Sequence, residues 1–406
     1  MENLIEMVKE HLSLLCEKTT NRCVGSSGNL SATNYFKRQL ENNDWLVEEQ
    51  EFEAFDWESE LACIETGDIK FKAQSSPYSE PCELEANTAI VSTIEEIENT
   101  DIKDKILIVK GDLTSEQLMP KNFVFYNPDH HKKIIFLFEN SGAKALIFIV
   151  GKSGFCEGGE YPFPIIEDGD FMIPSVFISE EEGEKLLANN SGKLKLTSKT
   201  NKRPSKGYNI IGRKGKTNAK KITITAHIDA KKCSPGAIDN AAGVVTMLIL
   251  SEMLKDYNGT CQVELVAFNG EDYYSAPGQM TYIEKKQGDF NDIALNINID
   301  GVGLNKGRTS YSLMELQNEK ADMVKHIFNQ FPGLVEGEPW VQGDHSIFLQ
   351  FGVPAVAISS EWLLENLQSQ QITHTENDNL SLVDNEKILE LSSAIASLIH
   401  EFSHYS

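Results

Sequence analysis

Apolar residues recur at helical spacing in the first eighteen positions, MENLIEMVKEHLSLLCEK, where Leu4, Met7, Val8, His11, Leu12 and Leu15 share one face. After GSSGN (25–29), the stretch ATNYFKRQLENN predicts a second helix with Ser31 as its N-cap. WLVEEQEFEAF then alternates apolar and polar side chains, the signature of a half-buried strand. Between about residues 58 and 200 the texture changes to short strands separated by acidic loops bearing Pro and Gly. DKILIVKGD (104–112) and KALIFIVGK (144–152) predict buried strands, with HKKIIFLFENSGA (131–143) a helix between them. IPSVFIS (173–179) followed by EEEGEKLL predicts a further strand and helix. The expected organisation is therefore residues 1–57 and 201–406 as one domain, with residues 58–200 inserted as a smaller α/β module. NKRPSKG (201–207) is expected to be the linker where the chain returns.

Beyond residue 207 strands and helices alternate. NIIGRK, KITITAH, CQVELVAFN, DIALNINID and VPAVAIS predict strands. AGVVTMLILSEMLK (242–255), APGQMTYIEKK, KADMVKHIFNQF and NEKILELSSAIASLIHEF (385–402) predict helices. Short apolar strands alternating with helices imply an α/β fold: a doubly wound, mostly parallel sheet with helices on both faces.

Candidate chemistry gathers where apolar runs give way to polar loops, the ends at which open α/β sheets form their ligand crevice. His227, Asp239, Asp272, Asp300 and His374 occupy such places in KITITAHIDA, PGAIDNAAG, VELVAFNGED, ALNINIDGVG and ITHTENDN. Each alone has an ordinary reading as a polar strand cap, a helix N-cap or an Asp-Gly turn. Together, two imidazoles and three carboxylates suit zinc better than calcium or magnesium. Asp229, two residues after His227, has the spacing to orient that ring. Asp239 has two oxygens and can bridge two ions. Glu271 adjoins Asp272 and is the candidate general base, aimed from the next backbone position. His345 in GDHSIF is the rival to His374, and Asp344 and His345 are candidate supporting residues.

The formal net charge of -24 argues against nucleic acid or an anionic membrane as partner, since both require a basic face. No run approaches the roughly 18 apolar residues of a membrane span, and the N-terminal stretch lacks the apolar core of a signal peptide. Seven scattered cysteines without a CxxC pair read as reduced thiols, so a cytoplasmic location is expected. Nothing in the sequence fixes an oligomeric state.

The ordered set resembles the M28 family of zinc aminopeptidases, whose pattern runs His-x-Asp, PGA-x-DNA-x-G, Glu-Glu after a strand, Asp-x-x-G and His-Thr near an Asp. This chain carries H227-I-D229, PGAIDNAAG (235–243), E271-D272, D300-G-V-G303 and H374-T-E-N-D378. The opening GSSGNLSATNYFKRQLENNDWLVEEQEF is similar to that family's first helix and strand, and residues 58–200 are similar to a protease-associated domain. The resemblance implies two zinc ions, one held by His227 and Asp300, the other by Asp272 and His374, with Asp239 shared. It also implies Glu271 as the base and peptides as substrates, cut at the amino terminus. The second acid is usually Glu, so Asp272 is one methylene short, and YYSAPGQ replaces the usual Gly-Leu-x-Gly-Ser. Two further readings share the scaffold: a one-zinc acyltransferase like the glutaminyl cyclases, and a non-enzymatic interaction protein. Metal stoichiometry and product analysis separate them.

Overall fold

In a computed structural model the chain divides into two units, Met1–Ala54 with Lys206–Ser406, and Phe55–Ser205. Residues 2–19, 21–123, 125–152, 160–217, 219–340, 342–367 and 369–405 are described.

Helix α1 (Glu2–Ser13) buries Val8, His11 and Leu12, as its periodicity requires. Helix α2 (Ser27–Asn42) begins before the expected point. Its cap is Ser26, whose hydroxyl accepts the Asn29 N–H at 3.1 Å. Ser31 lies inside the helix and donates back to the Ser27 carbonyl. Strand β1 (Leu46–Ser59) then alternates as predicted.

The second unit is a closed barrel, more strand-rich than the expected α/β module. Its strands are β2 (Ala62–Thr66), β3 (Ile69–Ser75), β4 (Cys82–Val91), β5 (Ile106–Val109), β6 (Ala145–Val150), β7 (Ser175–Ser179) and β8 (Lys193–Ser198), in the order β2-β3-β7-β6-β5-β4-β8. The apolar runs β5, β6 and β7 pair in parallel, as buried strands do. β2, β3, β4 and β8 alternate buried and exposed residues, and their outward charges made them read as loops. Helices α3 (Ile94–Asn99), α4 (Asp129–Asn140) and α5 (Glu180–Asn189) complete the unit.

The expected linker at 201–207 is instead part of strand β9 (Thr200–Gly215). Its basic residues face acidic ones on β1: Arg203 pairs with Asp56 at 2.8 Å, and Lys206 with Glu51. Opposite charges on neighbouring strands support pairing that no apolar pattern announces. The remaining strands are β10 (Lys221–His227), β11 (Gln262–Phe268), β12 (Ile293–Ile299), β13 (Thr309–Met314), β14 (Leu334–Glu336) and β15 (Ala355–Ser360). The sheet order is β1-β9-β11-β10-β12-β15-β13-β14. Its centre is parallel (β11/β10/β12/β15), whereas β9 and β13 run antiparallel to their inner neighbours.

Helix α6 (Ala242–Met253) is buried from Ala242 through Ser251, among α1, α2, β10 and the last helix. Val244, Val245, Met247, Leu248, Ile249 and Leu250 are at most 1% exposed, and burial of such a side chain contributes roughly 1.5–3 kcal/mol. Helices α7 (Pro277–Lys286), α8 (Asn318–Phe328), α9 (His345–Gln350), α10 (Glu361–Asn366) and α11 (Asn385–Tyr405) follow. Tyr282 of α7 packs edge-on against Phe268 at the end of β11, with Phe290 and Phe348 closing a second aromatic cluster. Among the described residues no helix is long and apolar enough to cross a membrane. Cys16, Cys63, Cys82 and Cys261 are free thiols, and Cys156 lies outside the described residues.

Candidate metal centre

The parallel strands end together, and this convergence assembles the site. His227 is the last residue of β10, and Asp300 directly follows β12. Glu271 and Asp272 occupy the loop after β11. Asp239 lies in a wide turn, Ala237–Ala241, with non-helical backbone angles, and it is not the cap of α6, whose N-cap position is Ala241. His374 does not end a strand: it lies in the loop after α10 with φ of 60°.

Two clusters form, His227–Asp239–Asp300 and Asp239–Asp272–His374, with donor atoms in each within 4.8 Å of one another. Asp239 belongs to both through different oxygens. Its Oδ1 lies 3.0 Å from His227 Nε2, and its Oδ2 lies 3.1 Å from His374 Nε2. Asp300 Oδ1 is 3.5 Å from His227 Nε2, and Asp272 Oδ1 is 3.0 Å from His374 Nε2. Glu271, partly exposed, is in neither cluster.

The donor set fits divalent cations. Neither ring nitrogen of buried His227, nor Asp272 Oδ2, makes a hydrogen bond. Such orphaned polar atoms are rare in a protein interior. Donor atoms aimed at a shared point explain His227 Nε2 and Asp272 Oδ2, whereas His227 Nδ1 faces Asp229 Oδ1 at 3.7 Å. Charge tells the same story. Burial by itself lowers the two imidazoles. Asp300, Asp229 and Asp239 around His227, and Asp272 and Asp239 around His374, outweigh it and hold both rings well above the ordinary histidine value. Burial also raises Glu271, and against the opposing pull of His227 the neighbouring Asp272, Asp300 and Asp344 hold its carboxyl well above the usual range.

Asp229 stands differently from expectation. Its Oδ1 is 3.7 Å from His227 Nδ1, beyond hydrogen-bond range. Its carboxylate instead accepts the N–H groups of Gly270 at 2.8 Å and Asp272 at 3.0 Å. It therefore holds the loop bearing Glu271 and Asp272. His345 is no ligand: it is fully buried, and its Nε2 contacts the Trp340 carbonyl at 2.7 Å. Asp344 accepts a hydrogen bond from Gln279 at 2.7 Å, and burial pushes its carboxyl up to about 7.

Several supporting residues carried no assignment from sequence. Asp378, fully buried, accepts the N–H of Ile238 at 2.7 Å and of Asp239 at 3.0 Å. Asn240 donates to the Ile299 carbonyl at 2.8 Å and accepts from Gly243 at 3.1 Å. A Cβ at Gly243 would lie 2.3 Å from Asn240 Oδ1, so glycine is required there. Asn29 and Asn269 exchange amide hydrogen bonds of 2.7 and 2.9 Å, tying α2 to the end of β11. Asp378, Asn240, Asn29 and Asn269 all fall inside stretches quoted above, but none carried a role there.

A third cluster, Glu116, His130 and His131, occurs in the barrel unit. His131 Nε2 is 3.2 Å from Glu116 Oε1. However, His131 Nδ1 accepts the Met119 N–H at 3.1 Å, so a neutral ring carries its proton on Nε2 and has no lone pair there. That excludes the ring as a ligand in this arrangement.

Two groups of metal-ligand type, His227–Asp239–Asp300 and Asp239–Asp272–His374, thus stand at one end of the larger unit's sheet. Residues 209–399 match the model of Peptidase family M28. The chain is 25% identical over 317 residues to aminopeptidase YwaD of Bacillus subtilis, covering 74% of this chain and 63% of that protein's length. Its fold is similar to that of BSAP, a zinc aminopeptidase from Bacillus subtilis, with a TM-score of 0.75 and 20% identity over 98% of this chain and 94% of that one. An aminopeptidase from Aneurinibacillus sp. strain AM-1 superimposes with a TM-score of 0.74 and 20% identity, covering 98% and 93% of the two chains.

Proposed function

We propose that this protein is a zinc-dependent aminopeptidase that hydrolyses N-terminal residues from peptides. The carrying observation is that Asp239 offers one oxygen to each of two imidazole–carboxylate clusters, while Glu271 beside them remains outside both. In this reading His227 and Asp300 hold one zinc ion, Asp272 and His374 the other, and Asp239 bridges. When bound, the ions supply Lewis acidity to a shared water and to the scissile carbonyl. Glu271 takes a proton from the attacking water and delivers it to the leaving amine. Asp229 holds Glu271 and Asp272 at their stations through the two backbone N–H groups. With both ions bound, the substrate's free α-amino group would engage one of them, which supports amino-terminal cutting. The barrel unit is read as a protease-associated module. The free thiols of Cys16, Cys63, Cys82 and Cys261 support a cytoplasmic setting.

The test is hydrolysis of aminoacyl substrates before and after chelation. Activity is expected to vanish with chelator, return with zinc, and be absent on amino-acetylated peptides. Equal rates on free and acetylated peptides would remove the aminopeptidase reading; turnover by metal-free protein would remove the metal.

A further inference from the structure

Arg22, between α1 and α2 in the sequence, is 2% exposed, yet no carboxylate among the described residues forms an ion pair with it. Its guanidinium donates to four backbone carbonyls, Leu15 at 2.8 Å, Ile228 at 3.1 Å, Pro235 at 2.7 Å and Gly236 at 2.9 Å, and also meets the Cys16 thiol. A buried charge without a counter-ion is costly and is kept only where its hydrogen bonds are well satisfied. Three of the four carbonyls belong to one segment, Ile228–Gly236, which joins His227 to Asp239. The fit is tight. Gly236 has φ of 60°, and a Cβ there would lie 2.7 Å from Arg22 Nη2 and 2.6 Å from the Asp239 carbonyl oxygen. The next three residues are gripped from elsewhere. Asp378 accepts the Ala237 N–H on its backbone oxygen at 3.2 Å and those of Ile238 and Asp239 on its carboxylate. The connection between two metal-binding positions is thus fastened along its length, one half by Arg22 and the other by Asp378.

We propose that Arg22 is a positioning residue for the metal centre: by fixing the Ile228–Gly236 segment it places the Asp239 carboxylate between the two imidazoles. The inference rests on reading Asp239 as the shared ligand. It makes the N-terminal segment part of the working site although that segment supplies no ligand. Only arginine suits the place. Its planar fork directs several N–H groups at separate carbonyls, whereas a lysine ammonium has three donors on a single atom and cannot span them.

The test uses the full chain as Arg22→Lys and Arg22→Met, with Gly236→Ala disturbing the same contact from the other side. Zinc affinity is measured by chelator competition, alongside thermal unfolding of the metal-free protein and kcat and KM on an aminoacyl substrate. Zinc affinity is expected to fall about 10–100-fold in every variant, the range for residues that orient metal ligands. The loss should appear in kcat with KM little changed, and lysine should not rescue it. A variant with lowered thermal stability but wild-type zinc affinity and kcat shows a merely structural role and overturns the proposal, as does full rescue by lysine. Should Arg22→Met fail to fold, Gly236→Ala and Arg22→Lys decide by the same readouts. If wild type binds zinc but cuts no aminoacyl substrate, the aminopeptidase reading falls, while the affinity comparison still decides Arg22. If it binds no zinc, both fall.

Discussion

Adjacent residues with opposite duties offer the sharpest perturbation. Glu271→Gln replaces a carboxylate by an amide of nearly the same shape, at a position outside both donor clusters. Metal content and fold should survive. Loss of a general base costs about 10²–10⁴ in rate, or roughly 2.7–5.4 kcal/mol of barrier at 1.36 kcal/mol per decade. Asp272→Asn acts differently. Asp272 Oδ1 stands 3.0 Å from His374 Nε2, and its Oδ2 is buried without a hydrogen-bond partner. The substitution takes one of the two carboxylates from the Asp239–Asp272–His374 cluster and turns a donor atom into an NH₂ group. That site should lose its ion, while the His227–Asp239–Asp300 cluster keeps its complement. Metal analysis of the purified variants, paired with steady-state rates on an aminoacyl substrate, reads both effects. The expected pattern is a nearly inactive Glu271→Gln with about two ions and an impaired Asp272→Asn with about one. The reverse pattern, with Glu271→Gln losing metal and Asp272→Asn holding two ions without turnover, would refute the division of labour.

Two further outcomes follow from the same geometry. Asp239→Asn replaces the carboxylate common to both clusters, so both ions should weaken and turnover should fall at least about 10²-fold, as for loss of an essential group; full turnover with two ions bound would contradict the bridging role. A second concerns acid stability. Burial lowers His11, which contacts the Tyr35 hydroxyl at 2.7 Å, to about 4. Between that value and the unfolded value near 6.5 the unfolded chain binds the extra proton, so stability is full above pH 6.5 and declines as pH falls towards 4. At 1.36 kcal/mol per unit the loss is about 3 kcal/mol, with roughly 2 gone by pH 5. The urea midpoint of His11→Gln should accordingly fall less than that of wild type between pH 7 and pH 5, and equal slopes would exclude His11 as the source.

Much of the larger unit was legible because strands buried on both faces must be apolar throughout. KITITAH, QVELVAF and AVAISS therefore announce β10, β11 and β15, and the continuously apolar α6 announces its own burial. The barrel was only half legible. Its parallel strands β5, β6 and β7 stood out as apolar runs, whereas its other strands alternate with charged residues that pair across the ladder, as Lys193 does with Glu85 and Lys195 with Glu83. The first half of β9 was lost for the same reason, since its basic residues find acidic partners on β1 more than 140 positions earlier.

For the site, sequence alone determined which residue types are present and that most lie where apolar strands end, because metal ligands belong to a small set of side chains and strand ends follow from hydrophobic pattern. Only the tertiary structure decided how they are shared and held. It turned the two oxygens of Asp239 towards different imidazoles. It moved Asp229 from a ring orienter to a support for the Glu271 loop. It brought Arg22 onto the connection between His227 and Asp239, from more than 200 positions away. Such contacts are hydrogen bonds from side chains to backbone groups distant in sequence. They depend on where the chain passes rather than on which residues it carries, so no local pattern encodes them.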